Sequence, residues 1–290
     1  MGWTPKRRTS PYGVGLEEPP ELGILDRASA EVLAIGTELT SGRILDTNSH
    51  WICGQLAALG AEVRRVTVLP DEVRAIVAAL REAVARRPQF LISTGGLGPT
   101  PDDVTVEAVA RAAGVGTHVH EPTIQAFMQR RGIASREDLP PNLIRMATVP
   151  ASSQVLPNPA GWAPCLRVQL GETALFVLPG PPREVEAVFV AHVSPAVAQA
   201  CGRRSTALRL VVDMYESELS VLMQEVMARY PNTYLKAYVA LRRSMEEGLP
   251  VDVVATAESA EQAESLLRDA CGLLCQLVQA KGHIAKRWEK

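Results

Sequence analysis

The sequence predicts an α/β protein: a mostly parallel sheet with helices on both faces over residues 29–202, followed by a smaller α+β module over 203–290. Strand-like and helix-like segments alternate through the first part, the pattern of crossover connections in a parallel sheet. A glycine turn carrying two carboxylates joins a buried-type strand to a helix. After about residue 203 the pattern changes to paired strands flanked by two helical stripes.

Residues 1–28 mix Pro, Gly, Arg and Glu without hydrophobic periodicity and read as a solvated tail; Lys6-Arg7-Arg8 lacks the apolar run of a signal peptide. Val32–Ile35 is the first strand, and Trp51, Ile52, Leu56 and Leu59 form the stripe of the first long helix. Val63–Leu69 is strand-like again. Val73, Ile76, Val77, Leu80 and Val84 mark a second helix, and Phe90-Leu91-Ile92 a third strand. A helix is expected from Val104 and another over Glu121–Arg131, then short strands between Thr148 and Leu178 with a hairpin at Gly171-Glu172. Pro179-Gly180-Pro181-Pro182 starts a helix through Phe189. In the second module Ala207–Val212 is a strand, Leu219, Leu222, Val226 and Tyr230 mark a helix facing the sheet, Thr233–Val239 and Val251–Thr256 form a hairpin, and Ala263 to Leu274 a terminal helix. The β-α-β-β-α order is KH-like. No GxxG loop accompanies it, so RNA binding is not expected.

Composition narrows the function classes. Lys plus Arg is 30 against 32 acidic residues, a formal charge of −2, which implies no electropositive surface for nucleic acid. No apolar run approaches the roughly 18 residues of a membrane span. Five cysteines without a CxxC pair suit a reducing cytoplasm.

The stretch from Ser93 to Thr105, STGGLGPTPDDVT, carries the most chemistry. Gly95, Gly96 and Gly98 free the backbone to approach a phosphate, and the following helix adds positive partial charge at its start. Asp102 and Asp103 would repel that phosphate unless a hard divalent cation lies between, Mg²⁺ being the natural choice and Mn²⁺ or Co²⁺ alternatives. The competing reading makes Asp103 a helix cap and the glycines a plain turn. If Asp103 only capped, Asp103→Asn would spare the fold. Asp46, Asn48 and Asp71 carry the same capping alternative at the starts of two helices. Glu38 is either a cleft wall or a solvated charge, and the proline loop either shapes a pocket, with Gly180 and Glu184, or simply stops a strand.

TGGLGPTPDDVTVEAVA resembles the signature of the molybdopterin-binding (MoaB/Mog-like) domain, in the version found in CinA, the competence/damage-inducible proteins. Ile35-Gly36-Thr37-Glu38-Leu39 with Asp46-Thr47-Asn48, then Asn158-Pro159-Ala160-Gly161 with Ala163-Pro164, then Leu178-Pro179-Gly180-Pro181-Pro182-Arg183-Glu184 agree with it in order and spacing. The resemblance implies the three-layer sheet of that family. It also implies catalytic or binding roles for Asp71 and Asp103, and a pterin and phosphate loop over Thr94–Thr105 that includes Thr100. Associated with it are a metal-dependent pyrophosphatase activity on ADP-ribose or a related dinucleotide, or binding and adenylyl transfer in molybdenum cofactor metabolism. Asp102 and Asp103 would hold the metal, Asp71 or Glu38 would orient the attacking water, and the protein would form a dimer or trimer. Relatives with a further amidohydrolase domain act on pyridine nucleotides; these residues, ending at Lys290, are expected to lack it. Trp162 and Cys165 stand where relatives have Thr and Gly. Cys165 reads as an apolar filler.

Overall fold

A computed structural model describes residues 28–242 and 248–288, so the tail predicted over 1–28 lies outside the described residues apart from Ala28. In chain order the first part contains β1 (Ser29–Ile35), α1 (Thr37–Thr40), α2 (Thr47–Ala58), β2 (Glu62–Leu69), α3 (Val73–Ala85), β3 (Phe90–Thr94), α4 (Thr105–Ala113), β4 (Thr117–Val119) and α5 (Glu121–Arg131). It continues through α6 (Pro141–Met146), β5 (Thr148–Pro150), β6 (Gln154–Leu156), β7 (Cys165–Leu170), β8 (Thr173–Leu178), α7 (Pro182–Val188) and α8 (Ser194–Ala200). The second part is β9 (Arg204–Val212), α9 (Glu216–Arg229), β10 (Thr233–Ala237), β11 (Leu249–Ala257), α10 (Ala260–Ala280) and β12 (Ala285–Arg287).

The main sheet has the order β2-β1-β3-β8-β7-β6. Its first four strands are parallel, and β7 and β6 are added antiparallel. Because successive side chains of a strand point to opposite faces, β1 feeds two cores. Ala30 and Val32 join Ile52, Leu56, Val185 and Phe189 on one face; Leu33 and Ile35 join Ile76, Leu80, Ala108 and Val109 on the other. The predicted apolar stripes are therefore the surfaces that cover the sheet. Near its start, β1 carries a buried charge. Glu31, 2% exposed, accepts two hydrogen bonds from Arg86 at 2.8 and 2.7 Å, a bidentate geometry that compensates a carboxylate removed from water.

Two differences from the sequence reading bear on the site. The helix expected to end at Phe189 instead runs on through a widened turn, Phe189–Val193, into α8. The segment between Thr117 and Pro150 is also more than one helix: β4 and β5 pair antiparallel, and α5 and α6 close over a small core of Ile124, Phe127, Leu139, Leu143 and Ala147. This lobe stands beside the glycine turn.

The second module is a four-stranded antiparallel sheet of order β10-β11-β9-β12. Leu219, Leu222 and Val226 are buried against it as the stripe predicts, and Cys271 enters the same core. The short β12 was not legible because Ala285–Arg287 is mostly polar and half exposed. Its place is set by pairing with β9. No helix among the described residues is long and apolar enough to cross a membrane.

Candidate ligand site

Parallel strands align their carboxyl ends, so the segments that follow β2, β1, β3 and β8 meet along one edge of the sheet. Asp71 follows β2, Thr37 and Glu38 follow β1, the glycine turn follows β3, and Pro179–Glu184 follow β8. Backbone pairing continues beyond the ladder: Gly36 donates to the Leu69 carbonyl at 2.9 Å and Gly95 to the Leu178 carbonyl at 3.1 Å.

The turn after β3 is held from within. Gly96 has φ of 69°, and a side chain there would collide with the Thr105 hydroxyl, so only glycine fits. That hydroxyl donates to the Gly95 carbonyl at 2.9 Å, while the Thr105 amide reaches the Gly96 carbonyl at 3.3 Å. Thr94 and Thr105 are both buried. The Thr105 hydroxyl, placed in the sequence among the ligand-binding groups, is spent inside the turn.

Asp103 organises the other half. Its Oδ1 accepts from the Gly98 amide at 2.7 Å, and its Oδ2 accepts from the Thr100 amide at 2.8 Å and the Thr100 hydroxyl at 2.6 Å. The N-cap of α4 is Val104, with no side-chain cap, so Asp103 is not the helix cap. With Gly95 paired to Leu178 and Gly98 to Asp103, the amides of Gly96 and Leu97 are those of the glycine turn left without a protein partner among the described residues. A phosphate on this turn would meet those two amides, not the three expected from the glycine pattern.

Asp102 is exposed, and its carboxyl is held below the usual carboxylate range, first by the Thr100 hydroxyl, then by its own backbone amide, with Arg145 adding a favourable charge. Arg145, on α6, was not legible in the sequence. Its Nη2 donates to the carbonyls of Pro101 at 3.1 Å and Asp103 at 2.9 Å, backbone acceptors that no sequence pattern marks.

The three capping alternatives separate. Asp46 does cap α2, accepting from the Ser49 amide at 2.9 Å. Asn48 instead donates to the Gly180 carbonyl at 2.8 Å, tying α2 to the proline loop. Asp71 does not cap α3, the helix it precedes: its Oδ2 accepts from the Thr37 amide at 2.7 Å and its own amide donates to the Thr37 hydroxyl at 3.1 Å, a reciprocal lock between the segments after β1 and β2. Glu38 is exposed beside it.

Glu184, half-buried on α7, accepts from Asn158 Nδ2 at 2.6 Å, and the same amide donates to the Ala163 carbonyl at 2.8 Å. Arg130 of the lobe donates to the Gly161 carbonyl at 2.6 Å and lies 4.3 Å over the Trp162 ring, with Arg131 at 5.2 Å and the Phe127 ring at 5.5 Å. Trp162 thus pins the lobe to this loop. Trp162→Thr is expected to lower stability by about 1–2 kcal/mol through lost ring and cation contacts, read as a lower Tm; an unchanged melt would show the contacts to be idle. Cys165 is fully buried, and burial pushes its thiol up to about 12, in keeping with an apolar filler.

Between the turn and the lobe lies a cavity of about 660 Å³, walled by Leu97, Pro99, Val106, Ile144, Met146 and Leu166. As for a metal, no three His, Cys, Asp or Glu side chains gather to hold one among the described residues. Asp103 already accepts three donors and Asp102 stands open to solvent. This set fits a divalent cation only as a shared site, completed by phosphate oxygens of a ligand and by water, the mode usual for Mg²⁺.

The model of a family described as "Probable molybdopterin binding domain" matches residues 31–199. A protein of Pyrobaculum arsenaticum is 36% identical over 258 residues, 87% of this chain and 95% of its own length. A CinA-like protein of Myxococcus xanthus is 38% identical over 210 residues, 69% of this chain and 49% of its own. Among solved structures, the protein CinA with unknown function from Thermoplasma acidophilum is 34% identical, with a TM-score of 0.55 over 59% of this chain and 98% of that one. The chain belongs to the family built on the probable molybdopterin binding domain, in its CinA-like form.

Proposed function

We propose that this chain binds a small organic phosphate, a nucleotide or a pterin, and hydrolyses a nucleoside diphosphate linkage, with ADP-ribose or a related dinucleotide as substrate. The observation that carries the reading is the pair of unpartnered amides at Gly96 and Leu97, set on a turn that Asp103 holds open and flanked by the carboxylates of Asp71 and Glu38 at neighbouring strand ends. Amides fixed in place before the ligand arrives stabilise negative charge without reorganising. The organic body has the adjoining apolar cavity to enter.

Asp71 supports the base role best. One of its oxygens is engaged by Thr37 while the other has no protein partner among the described residues, so the carboxylate is oriented yet still able to take a proton from water. Asp102 would hold Mg²⁺, Mn²⁺ or Co²⁺ together with the ligand's phosphate oxygens. When bound, such a cation offsets charge on the phosphates and lowers the pKa of its water. Asp103 supports that site through the turn.

A second reading is binding of a pterin, or adenylyl transfer to one, without diphosphate hydrolysis; its binding half is supported by the family description. ADP-ribose, FAD, NAD and ATP, each incubated with Mg²⁺, Mn²⁺ or Co²⁺ and assayed for released nucleotide, separate the two. Metal-dependent release from ADP-ribose or FAD is expected. Saturable binding with no release under any metal would leave the second reading standing.

A further inference from the structure

The cavity beside the glycine turn is lined by three ionisable side chains: Asp103, Glu107 and Arg145. Two are already answered. Asp103 accepts three hydrogen bonds inside the turn, and Glu107 accepts from Arg111 at 2.5 Å across one helical turn. Arg145 is different. A guanidinium has five N–H donors in a fixed plane, and among the described residues only those on Nη2 are engaged, with two carbonyls of the turn. Its charge is felt by the exposed Asp102 carboxylate, but Nε and Nη1 make no hydrogen bond to protein there, on a side chain that lines an otherwise largely apolar cavity.

We propose that Arg145 selects for an anionic ligand: with Nη2 it fixes the Pro101–Asp103 turn, and with Nε and Nη1 it receives an anionic group on the organic body in the cavity. The site would then take an organic phosphate in preference to an uncharged heterocycle of the same shape. This rests on the reading of the turn as an anion cradle, and it adds a residue on a different element, the lobe, to that cradle. The planar fork is essential to the double duty. A lysine keeps the charge but has one nitrogen, which cannot bind two carbonyls and an anion in the same geometry.

The test uses the full chain and two probes, ADP-ribose and adenosine, with dissociation constants from calorimetry for the wild type, Arg145→Lys and Arg145→Gln, and a melt of each. Arg145→Gln is expected to weaken ADP-ribose about ten- to a hundredfold, the range for a lost hydrogen bond to a charged group, while adenosine stays unchanged; Arg145→Lys should fall between. Unchanged ADP-ribose binding in Arg145→Gln overturns the assignment. So does an equal loss for both probes with a lowered melt, which makes Arg145 a structural anchor alone. A wild type that binds neither probe, nor inorganic pyrophosphate, removes the anion cradle itself and the assignment with it.

Discussion

Asp103→Asn is expected to lower stability by about 2 kcal/mol, a fall in Tm of roughly 4–8 °C for a domain of this size, and to weaken ADP-ribose binding by at least about tenfold. The reason is geometric. The two carboxylate oxygens face opposite sets of donors: the Gly98 amide on one side, the Thr100 amide and hydroxyl on the other. An asparagine has one acceptor and one donor in those places, so either orientation sets an NH₂ against a backbone N–H. The turn must then open, and the Gly96 and Leu97 amides lose their fixed direction. Had Asp103 been a helix cap, asparagine would replace it with little loss, but α4 begins without a side-chain cap. A melt like the wild type's for Asp103→Asn, at full affinity, would refute the organising role.

This residue shows how far the sequence carries. The spacing of glycines and carboxylates placed a strand-turn-helix and a site at Ser93–Thr105, and the structure has that turn between β3 and α4. The parallel sheet was equally legible, because each helix bears a periodic stripe and each strand a short branched run; both follow from burial, which the sequence encodes directly. Donor–acceptor pairing is not encoded in that way. Whether Asp103 bonds to a helix amide or to Gly98 depends on loop geometry. Among Asp46, Asn48 and Asp71, all with capping roles open to them at the helix that follows, only Asp46 takes that role. Arg145 and Arg130 went unseen for the same reason: each bonds to backbone carbonyls between 31 and 44 residues away, and a carbonyl leaves no mark in a sequence. The small lobe that carries them was read as one helix because its core is built from few residues over short elements.

Asp71→Asn separates catalysis from architecture, and is expected to cut ADP-ribose turnover about 10²- to 10⁴-fold, the range for loss of a general base. Its structural role should survive. The bond from the Thr37 amide reaches a single oxygen of Asp71, and the return bond to the Thr37 hydroxyl comes from the Asp71 backbone amide. An asparagine can keep its carbonyl oxygen on Thr37 and turn its NH₂ toward solvent, with no donor facing it. The lock between the segments after β1 and β2 then persists, and what disappears is the oxygen able to accept a proton from water. Turnover, ADP-ribose affinity and Tm measured on one preparation should show the first falling while the other two hold, the opposite of Asp103→Asn, where affinity and Tm move together. If Asp71→Asn turns over at the wild-type rate, the base lies elsewhere, and Glu38→Gln becomes the variant to compare, since Glu38 is the exposed carboxylate at the end of the adjoining strand β1. If its Tm falls instead, Asp71 acts through the lock with Thr37, and the chemistry attributed to it does not stand.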